Sequence, residues 1–458
     1  MKIWGENLNL AGLELLWGAF IADFDVVCRA HDATWQKRRR VVDSKMLVIL
    51  ILKSVWSKGN VGFQIVLAEF WRNLKSFGIV RWQKTPIAAS SLTDARQKLD
   101  EAIFKELNRR LTLRFDESKA WHATLWNDLR LFGVDGSVIN VPRGLASAGY
   151  GMRNPKSHYP LGLISCLYDL RSGIPYDFDL NGHMNERKCA EKHLEILGPK
   201  DLVVYDRGYF SYAMLLAHAD RNVGALFRIK SSKNFAEIQM FIDDENQRDG
   251  VITIFPDNAQ TRHGIRKSHP DIQFRPLEVR IIKRVINGKM WIFATTLLDK
   301  KIYRAAEIVA IYKERWGLEE LYKAAKVHVN FEEFHSKSER GVKQEVYGAF
   351  LLITMARLVS RSAETQPDSK NFDNKKAAPK GQPWKVNFKA ALALFASHIE
   401  RLILPPMGKI KTTLSAIRSE MSRIRQKIRP DRKYERRSML PVNKWRRFTV
   451  NSSKVVVC

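Results

Sequence analysis

Four polar residues in the segment 312–326 carry groups that could handle metal ions and phosphates. They are Tyr312, Arg315, Glu319 and Lys326. On a helix of about 100° per residue their spacing returns all four to within about 60° of one direction. A helix that packs against a core keeps such a stripe apolar. A carboxylate, a phenol and two cations instead favour a surface that holds a metal ion and a phosphate backbone.

Two aspartates elsewhere could complete a metal site with Glu319. Asp206 directly follows the apolar run Leu202–Tyr205, and Asp135 precedes Gly136 in a strand pattern that we expect to break there in a turn. Three converging carboxylates suit a pair of Mg²⁺ ions, which prefer oxygen ligands and can serve both oxygens of a phosphoryl transfer. Each acid alone also has an ordinary explanation as a turn, a loop ion pair or a solvated helix residue.

The composition supports a polyanionic partner. The chain of 458 residues has a formal net charge of +29 and 45% hydrophobic residues, which indicates a large globular protein that attracts phosphates. A membrane surface is the other candidate, but no apolar run approaches the roughly 20 residues that cross a bilayer. The four cysteines show neither zinc spacing nor a disulfide framework, and no signal pattern opens the chain. We expect a cytoplasmic protein.

The elements that must position these residues form an α/β pattern. The first 125 or so residues are helical in periodicity, and a mixed sheet follows. Strands are predicted at 129–141, 161–168, 174–180, 202–205, 225–229, 251–255, 277–286 and 291–298. Further helices are predicted at 186–197, 212–219, 303–329, 342–361 and 385–404. Residues 362–384 are polar and proline-containing, as in a flexible linker.

These motifs together resemble the insertion-sequence-four (IS4) family of bacterial DDE transposases. The stripe matches the family's tyrosine–arginine–glutamate–lysine signature. Asp135 in Asp-Gly-Ser and Asp206 in Asp-Arg-Gly-Tyr-Phe-Ser resemble the first and second catalytic aspartates. Similarity extends to the segments 91–99 and 226–230, and it covers residues from about 40 to about 355. It implies an RNase H-like (ribonuclease H fold) core interrupted by a β-rich insertion, with helical N- and C-terminal regions.

The resemblance also implies a division of the chain into six regions. They are a helical DNA-binding region at 1–127, the first part of the catalytic core at 128–230, the β-strand insertion at 231–300, the helical part of the core with the third acid at 301–361, the linker at 362–384, and a helical, basic C-terminal region at 385–458.

By the same resemblance, Asp135, Asp206 and Glu319 would bind two Mg²⁺ ions, for which Mn²⁺ can substitute. One ion would activate water or a 3′-hydroxyl, and the other would stabilise the leaving oxygen. Tyr312, Arg315 and Lys326 would hold phosphates of the transposon end. The partners would be double-stranded DNA, as terminal inverted repeats and as target, and a second copy of the chain in a homodimeric synaptic complex. No membrane is involved, and a bacterial, nucleoid-associated location follows.

Several residues have weaker patterns. Trp291 is the first candidate to stack on a flipped base and Trp316 the second, although core packing explains either. Arg228 and Lys230 alternate with apolar residues and could line a DNA channel, or simply face outward. His183, Glu186 and Arg187 are interpreted as structural groups. The basic run 37–40 and the C-terminal cations Arg418, Arg423, Arg425, Lys427 and Arg429 are interpreted as DNA-contacting, with a solvated surface or subunit pairing as alternatives.

Two other functions remain open from the sequence. Another RNase H-like nuclease or integrase would share the three acids, but it would lack the signature spacing and the insertion. A decayed transposase would bind DNA without cutting it, and the intact acids argue against that. Inverted repeats flanking the coding region would favour the mobile element.

Overall fold

The computed structural model describes residues 8–36, 41–57, 62–79, 83, 85–230, 235–329, 331–364, 384–404 and 407–427. The basic run 37–40, most of the linker, and Arg429 lie outside these residues. Five helices come first: α1 (Leu10–Trp35), α2 (Ser44–Trp56), α3 (Phe63–Ser76), α4 (Ala89–Lys98) and α5 (Ala102–Glu117). Asp43 caps α2 by accepting a hydrogen bond from the Met46 amide. The helix α2 is apolar on nearly all sides and buried, as its sequence predicts.

One sheet of eight strands occupies the middle of the chain. Its first part contains β1 (Arg130–Asn140), β2 (Leu161–Asp169), β3 (Ile174–Asn181), α6 (Glu186–His193), β4 (Asp201–Tyr205), α7 (Tyr212–Arg221) and β5 (Gly224–Ile229). These five strands have the order β3-β2-β1-β4-β5. Strand β1 pairs antiparallel with β2 and β2 with β3, whereas β4 runs parallel to both β1 and β5. The predicted strands of this part are confirmed.

The region 231–300 continues the same sheet. It contains α8 (Ala236–Asp243), β6 (Asp249–Ile254), α9 (Ala259–Ser268), β7 (Leu277–Ile286) and β8 (Lys289–Thr295). Strand β8 pairs antiparallel with β5, and β7 and β6 follow outward. The three predicted strands are therefore confirmed, while the two helices were not anticipated.

The prediction that the first strand breaks at Asp135 was wrong. Strand β1 runs through Asp135 and Gly136, which lie opposite Cys166 and Ser165 of β2. The antiparallel pairing with β2 supplies partners along the whole strand, so the tendency of Asp-Gly to turn is overridden. Asp135 is consequently held on a strand rather than in a loop.

The prediction of one helix across 303–329 was also wrong. The structure has α10 (Ala305–Glu314) and α11 (Trp316–His328), which meet at Arg315. The amide of Arg315 bonds to the carbonyl of Tyr312, and the amide of Leu318 to that of Arg315, both three residues back. This tighter turn interrupts the α-helical hydrogen bonding inside a segment whose periodicity is continuous. The polar stripe therefore spans two helices.

The remaining elements are α12 (Glu339–Glu364), β9 (Trp384–Val386), α13 (Phe388–Ser397), α14 (Ile399–Ile403), α15 (Met407–Arg423) and β10 (Arg425–Lys427). They pack with the N-terminal helices, and α5 and α12 both contact β3. The Lys53 Nζ lies 2.7 Å from Oε1 of Glu400, with the two side chains 3% and 0% exposed. The helices from both ends of the chain thus form one layer beside the sheet.

No helix within the described residues is long and apolar enough to cross a membrane.

Candidate active site

Asp135 and Asp206 are brought together by the parallel pairing of β1 with β4. That pairing ends with Gly133 opposite Val204. Continuing the same register by two residues places Asp135 opposite Asp206, just past the end of β4. Because β1 continues past the carboxyl end of β4, Asp135 lies level with the residue that leaves β4. The two acids therefore meet there although the chain between them forms three strands and the helix α6.

The junction of α10 and α11 adds the third acid. The Tyr312 hydroxyl donates to Oδ1 of Asp206 at 3.1 Å. Nη2 of Arg315 donates to Oε1 of Glu319 at 3.1 Å, and Nη1 of Arg315 lies 3.5 Å from Oδ2 of Asp135. One guanidinium thus lies between two of the acids. In the described part of the chain no group of three or more His, Cys, Asp or Glu could by itself hold a metal ion.

The two aspartates have opposite electrostatic environments. Burial raises the pKa of Asp135 to about 6, although the charge of Arg315 opposes the shift. Burial acts in the same direction on Asp206. There the amide of Arg207, the charge of Arg315 and the Tyr312 hydrogen bond outweigh it, and the pKa of Asp206 is lowered. Burial, then the charge of Asp206, raises the pKa of Tyr312 to about 12, so this phenol stays protonated as a donor.

Two further contacts attach α11 to β1. The Tyr322 hydroxyl donates to the carbonyl of Asp135 at 2.7 Å, and Nζ of Lys326 donates to the carbonyl of Val138 at 3.1 Å. Lys326 is thus engaged with the strand in this structure. Tyr322 was missed by the sequence reasoning. Its position three residues after Glu319 on the same helix face was the signal that could have found it.

The base-stacking candidates differ in accessibility. Cζ of Arg228 lies 3.6 Å from the ring centroid of Trp291, so the guanidinium covers one ring face. The edge of Tyr312 packs against the same indole, with ring centroids 6.0 Å apart. Trp291 therefore lies next to the acids, but Arg228 and Tyr312 already pack against its ring. Trp316 is 50% exposed at the start of α11. Lys230 is exposed at the end of β5.

The C-terminal cations do not share one role. Arg418 is buried, and its Nε donates to the carbonyl and the hydroxyl of Ser362 at 2.9 Å. The interpretation of Arg418 as a DNA contact is therefore wrong, because the guanidinium joins α15 to the end of α12. Arg423 is exposed.

Comparison with known protein families identifies the class of protein to which this chain belongs. The model of the transposase DDE domain matches residues 126–355, from before β1 to within α12. That is half of the chain, and the chain belongs to this family.

Relatives with known names show which type of transposase this chain is similar to. The transposase InsG for insertion sequence element IS4 of Escherichia coli (strain K12) is 23% identical over 342 residues, covering 72% of each protein. A putative transposase for insertion sequence element IS4SA of Synechocystis sp. (strain ATCC 27184 / PCC 6803 / Kazusa) is 20% identical over 328 residues, covering 68% of this chain and 85% of that protein. The insertion-sequence-four type is therefore confirmed, and the chain is an insertion-sequence transposase.

Among solved structures, the cryo-EM structure of the piggyBac transposase synaptic complex with hairpin DNA matches 90% of this chain and 85% of that chain. Sequence identity is 12% and the TM-score is 0.40, which is too distant for comparing sites.

Transposases with this domain use divalent metal ions, and the acids fit such an ion by their chemistry. Asp135, Asp206 and Glu319 offer only carboxylate oxygens, the ligands that hard divalent cations prefer. Arg315 already places one positive group between Asp135 and Glu319, and its buried Nε has no hydrogen-bond partner among the residues that the structure describes. A cation could therefore take over the charge balance that the guanidinium now provides.

Proposed function

We propose that Asp135, Asp206 and Glu319 are the catalytic carboxylates of this transposase and bind two Mg²⁺ ions, for which Mn²⁺ can substitute. The order and directions of β1–β5 support an RNase H-like core around them. In it, strands β6–β8 of the insertion extend the sheet beyond β5. The reaction is cleavage at transposon ends followed by strand transfer of DNA.

The observation that carries the proposal is the set of contacts around Arg315. Tyr312 and Arg315, from one helix junction, reach all three acids, which come from β1, the loop after β4 and α11. Three half-buried carboxylates repel one another, so a purely structural role does not explain why they gather where β4 ends. When bound there, divalent ions would stabilise charge on the attacking and leaving oxygens of the phosphodiester.

The other polar side chains of the site would orient the acids and hold the DNA. Tyr312 keeps Asp206 ionised and oriented through its hydrogen bond. Arg315 leaves the acids once their charge is neutralised and grips a phosphate of the transposon end, for which its planar fork is suited. Lys326 contacts the same backbone from the far end of α11.

The substrate would be double-stranded DNA carrying terminal inverted repeats, joined to a target by a homodimer. The net charge of +29 supports a DNA partner. Arg228, half-buried on β5, and Lys230, exposed just after that strand, would contact the DNA backbone. Trp316, half exposed, and Trp291, once freed from Arg228, are the groups that would stack on an unpaired base.

Cleavage of DNA carrying the terminal repeats tests the proposal. With Mg²⁺, the wild-type protein should yield nicked and transferred strands. Asp206→Asn should bind this DNA with unchanged affinity. It should cut the DNA at least roughly a thousandfold more slowly, because every chemical step then lacks one of the proposed metal ligands. The matched control is Asp220→Asn, an exposed acid on α7 that pairs with Arg275.

The outcomes separate the rival functions. Full cleavage by Asp206→Asn removes the proposed site. Cleavage by the wild type without any transferred product indicates a nuclease. Binding without cleavage by the wild type indicates a decayed transposase.

A further inference from the structure

The helix α9 in the insertion, which the sequence pattern did not predict, has a basic outer face. Its ten residues include three cations and no acid, and none of them is buried. At about 100° per residue, Arg262, Arg266 and Lys267 lie within about 70° of one direction, together with His263. Arg266 and Lys267 are exposed. A solvated surface usually mixes both signs of charge, so a face of one sign favours a polyanionic partner.

The opposite face of α9 is turned toward the catalytic core. Its residues Thr261, Gly264, Ile265 and Ser268 line a cleft of about 360 Å³. Residues of α6 and α7, including the first turn of each helix, form the other wall of this cleft. Just after α9, Nε2 of His269 is hydrogen-bonded to Oε1 of Glu191 on α6 at 3.0 Å. The inner face thus attaches α9 to α6 and α7, while the cations lie on the outside.

Further cations continue this surface to the loop that contains Asp206. Arg187 and Lys188, in the first turn of α6, are both exposed, and so is Arg207, directly after Asp206. Nε of Arg187 donates to the carbonyl of Gly208 at 2.8 Å. This hydrogen bond attaches the start of α6 to the loop after β4. A duplex that reaches Asp206 can therefore contact α6 and then α9 along its backbone.

Nearby acids do not neutralise the outer face of α9. Among the described residues its three cations form no salt bridge. The acid Asp220 on α7 pairs with Arg275, whose Nη2 lies 2.6 Å from Oδ1 of the carboxylate. Asp257 and Asp271 lie beyond the two ends of the helix. The cations of α9 are therefore available to phosphates, and such contacts gain free energy from the release of counterions.

The two faces of the sheet indicate which part of the DNA would lie on α9. A Cβ built on Gly133 would lie 2.7 Å from Cδ1 of Leu318 in α11, whereas one built on Gly136 would lie 2.9 Å from Oε1 of Glu186 in α6. Positions three residues apart on a strand point to opposite faces, so α11 and α6 cover opposite faces of β1. The proposed function assigns the transposon end to the side of α10 and α11. A duplex that extends past the end of β4 then reaches α6 and α9.

We propose that α9, together with the start of α6 and Arg207, binds the phosphate backbone of the DNA outside the transposon end, on the far side of the scissile phosphodiester. The contact is independent of sequence, because cations and phosphates alone form it. The inference rests on the proposed function, which assigns the transposon end to α10 and α11. It gives the insertion a DNA-binding surface separate from the three carboxylates.

Binding of the full-length protein to two duplexes tests this, in EDTA so that metal-dependent cleavage does not occur. One duplex carries the terminal repeat with flanking DNA, and the other ends at the cleavage position. The combined variant Arg262→Gln, Arg266→Gln and Lys267→Gln should bind the flanked duplex roughly tenfold or more weakly, with a salt slope smaller by about 2 to 3. It should bind the duplex without flank as the wild type does. Hydroxyl-radical footprints should lose protection of the flanking backbone only.

The matched control removes three exposed cations at the other end of the sheet, by combining Lys200→Gln, Lys301→Gln and Arg304→Gln. Lys200 directly precedes β4. Asn127, just before β1, donates to the carbonyl of Ile302 at 3.0 Å, which places the loop before α10 at the same end. This control has the same net charge as the α9 variant and should bind both duplexes as the wild type does.

Three results would overturn the inference. The first is wild-type binding and footprints of the α9 variant on the flanked duplex. The second is an equal loss of affinity for both duplexes, because α9 would then hold the transposon end. The third is a matching loss in the control, because net charge alone would then explain the effect. If the combined variant does not fold, Lys267→Gln replaces it: a salt slope smaller by about 1 supports the inference, and an unchanged slope overturns it.

Cleavage by Asp206→Asn in Mg²⁺ distinguishes this inference from the proposed function. If Asp206→Asn is inactive while the α9 variant binds as the wild type does, the proposed function stands and the inference falls. If Asp206→Asn cuts normally while the α9 variant loses the flanking protection, the proposed catalytic site falls and the DNA contact of α9 stands.

Discussion

The Tyr312 hydroxyl donates a hydrogen bond to Oδ1 of Asp206 over 3.1 Å, joining the end of α10 to the loop after β4. Tyr312 is 5% exposed, so its hydroxyl faces the acids rather than solvent. The first residue of the polar stripe therefore supports a carboxylate in this structure. A direct phosphate contact would require the tyrosine to move.

Tyr312→Phe separates these two roles. A hydrogen bond to a charged group contributes about 1.5–3 kcal/mol, so cleavage should fall roughly tenfold to a hundredfold when it is lost. DNA affinity should stay within about twofold, because the phenol is buried. Cleavage rates and binding isotherms measure the two effects, with Tyr303→Phe as a control for removing a hydroxyl outside the site. A large loss of affinity with normal cleavage would assign Tyr312 to the phosphates instead.

The raised pKa of Asp135 predicts a pH-dependent stability. Its pKa is about 6 in the folded protein against a usual 3.8, so folding favours the protonated acid. The stabilisation from Asp135 is fully present below pH 3.8 and is lost as pH rises through about 6. In EDTA, Asp135→Asn should therefore be more stable than the wild type at pH 7.5, by about 1–3 kcal/mol, and equal to it near pH 4.

Thermal unfolding across this pH range checks the difference. Asp220→Asn, which removes an exposed acid, should show no comparable trend. A destabilised Asp135→Asn at pH 7.5 would mean that the attraction of Arg315 for Asp135 exceeds the cost of burying the charge.

The two tryptophans should respond differently to alanine. Trp291 carries Arg228 on one face and Tyr312 at its edge, so Trp291→Ala should lower the melting temperature and also disturb the site. Trp316 is half exposed, and Trp316→Ala should leave stability nearly unchanged. If Trp316 stacks on a base, its loss should weaken binding of an end with an unpaired nucleotide by about 1–3 kcal/mol. Fluorescence of 2-aminopurine at that nucleotide reports the stacking, and equal quenching in both variants and the wild type would exclude both residues.

The buried ion pair between Lys53 and Glu400 predicts that both ends of the chain unfold together. Removing one partner leaves a buried charge, so Glu400→Ala should cost about 3–5 kcal/mol. Lys411→Ala breaks only the exposed pair with Glu14 and should change stability by less than about 1 kcal/mol. Thermal unfolding followed by calorimetry and denaturant unfolding followed by tryptophan fluorescence measure these changes in stability. Two separate transitions, with Glu400→Ala shifting only one, would contradict a single helical layer.

The polar stripe shows which structural features the local sequence pattern can predict. Helical spacing correctly grouped Tyr312, Arg315 and Glu319, because neighbours on a helix face are determined by distances of a few residues. The same reasoning joined α10 and α11 into one helix, since the turn at Arg315 keeps nearly helical backbone angles and leaves no mark in the periodicity. The chemistry of the residues and the type of secondary structure could be predicted in this way.

What only the tertiary structure decided is which distant groups meet. The register of β1 against β4 sets Asp135 opposite Asp206, and the pairing with β2 keeps Asp135 on a strand where its local sequence favours a turn. Packing of α6 brings Glu186 to Gly136, and β8 beside β5 brings Trp291 under Arg228. Strand register and helix packing depend on contacts across many tens of residues. The sequence by itself therefore determined the residue chemistry and most of the secondary-structure elements, while the long-range pairing decided which groups surround each acid.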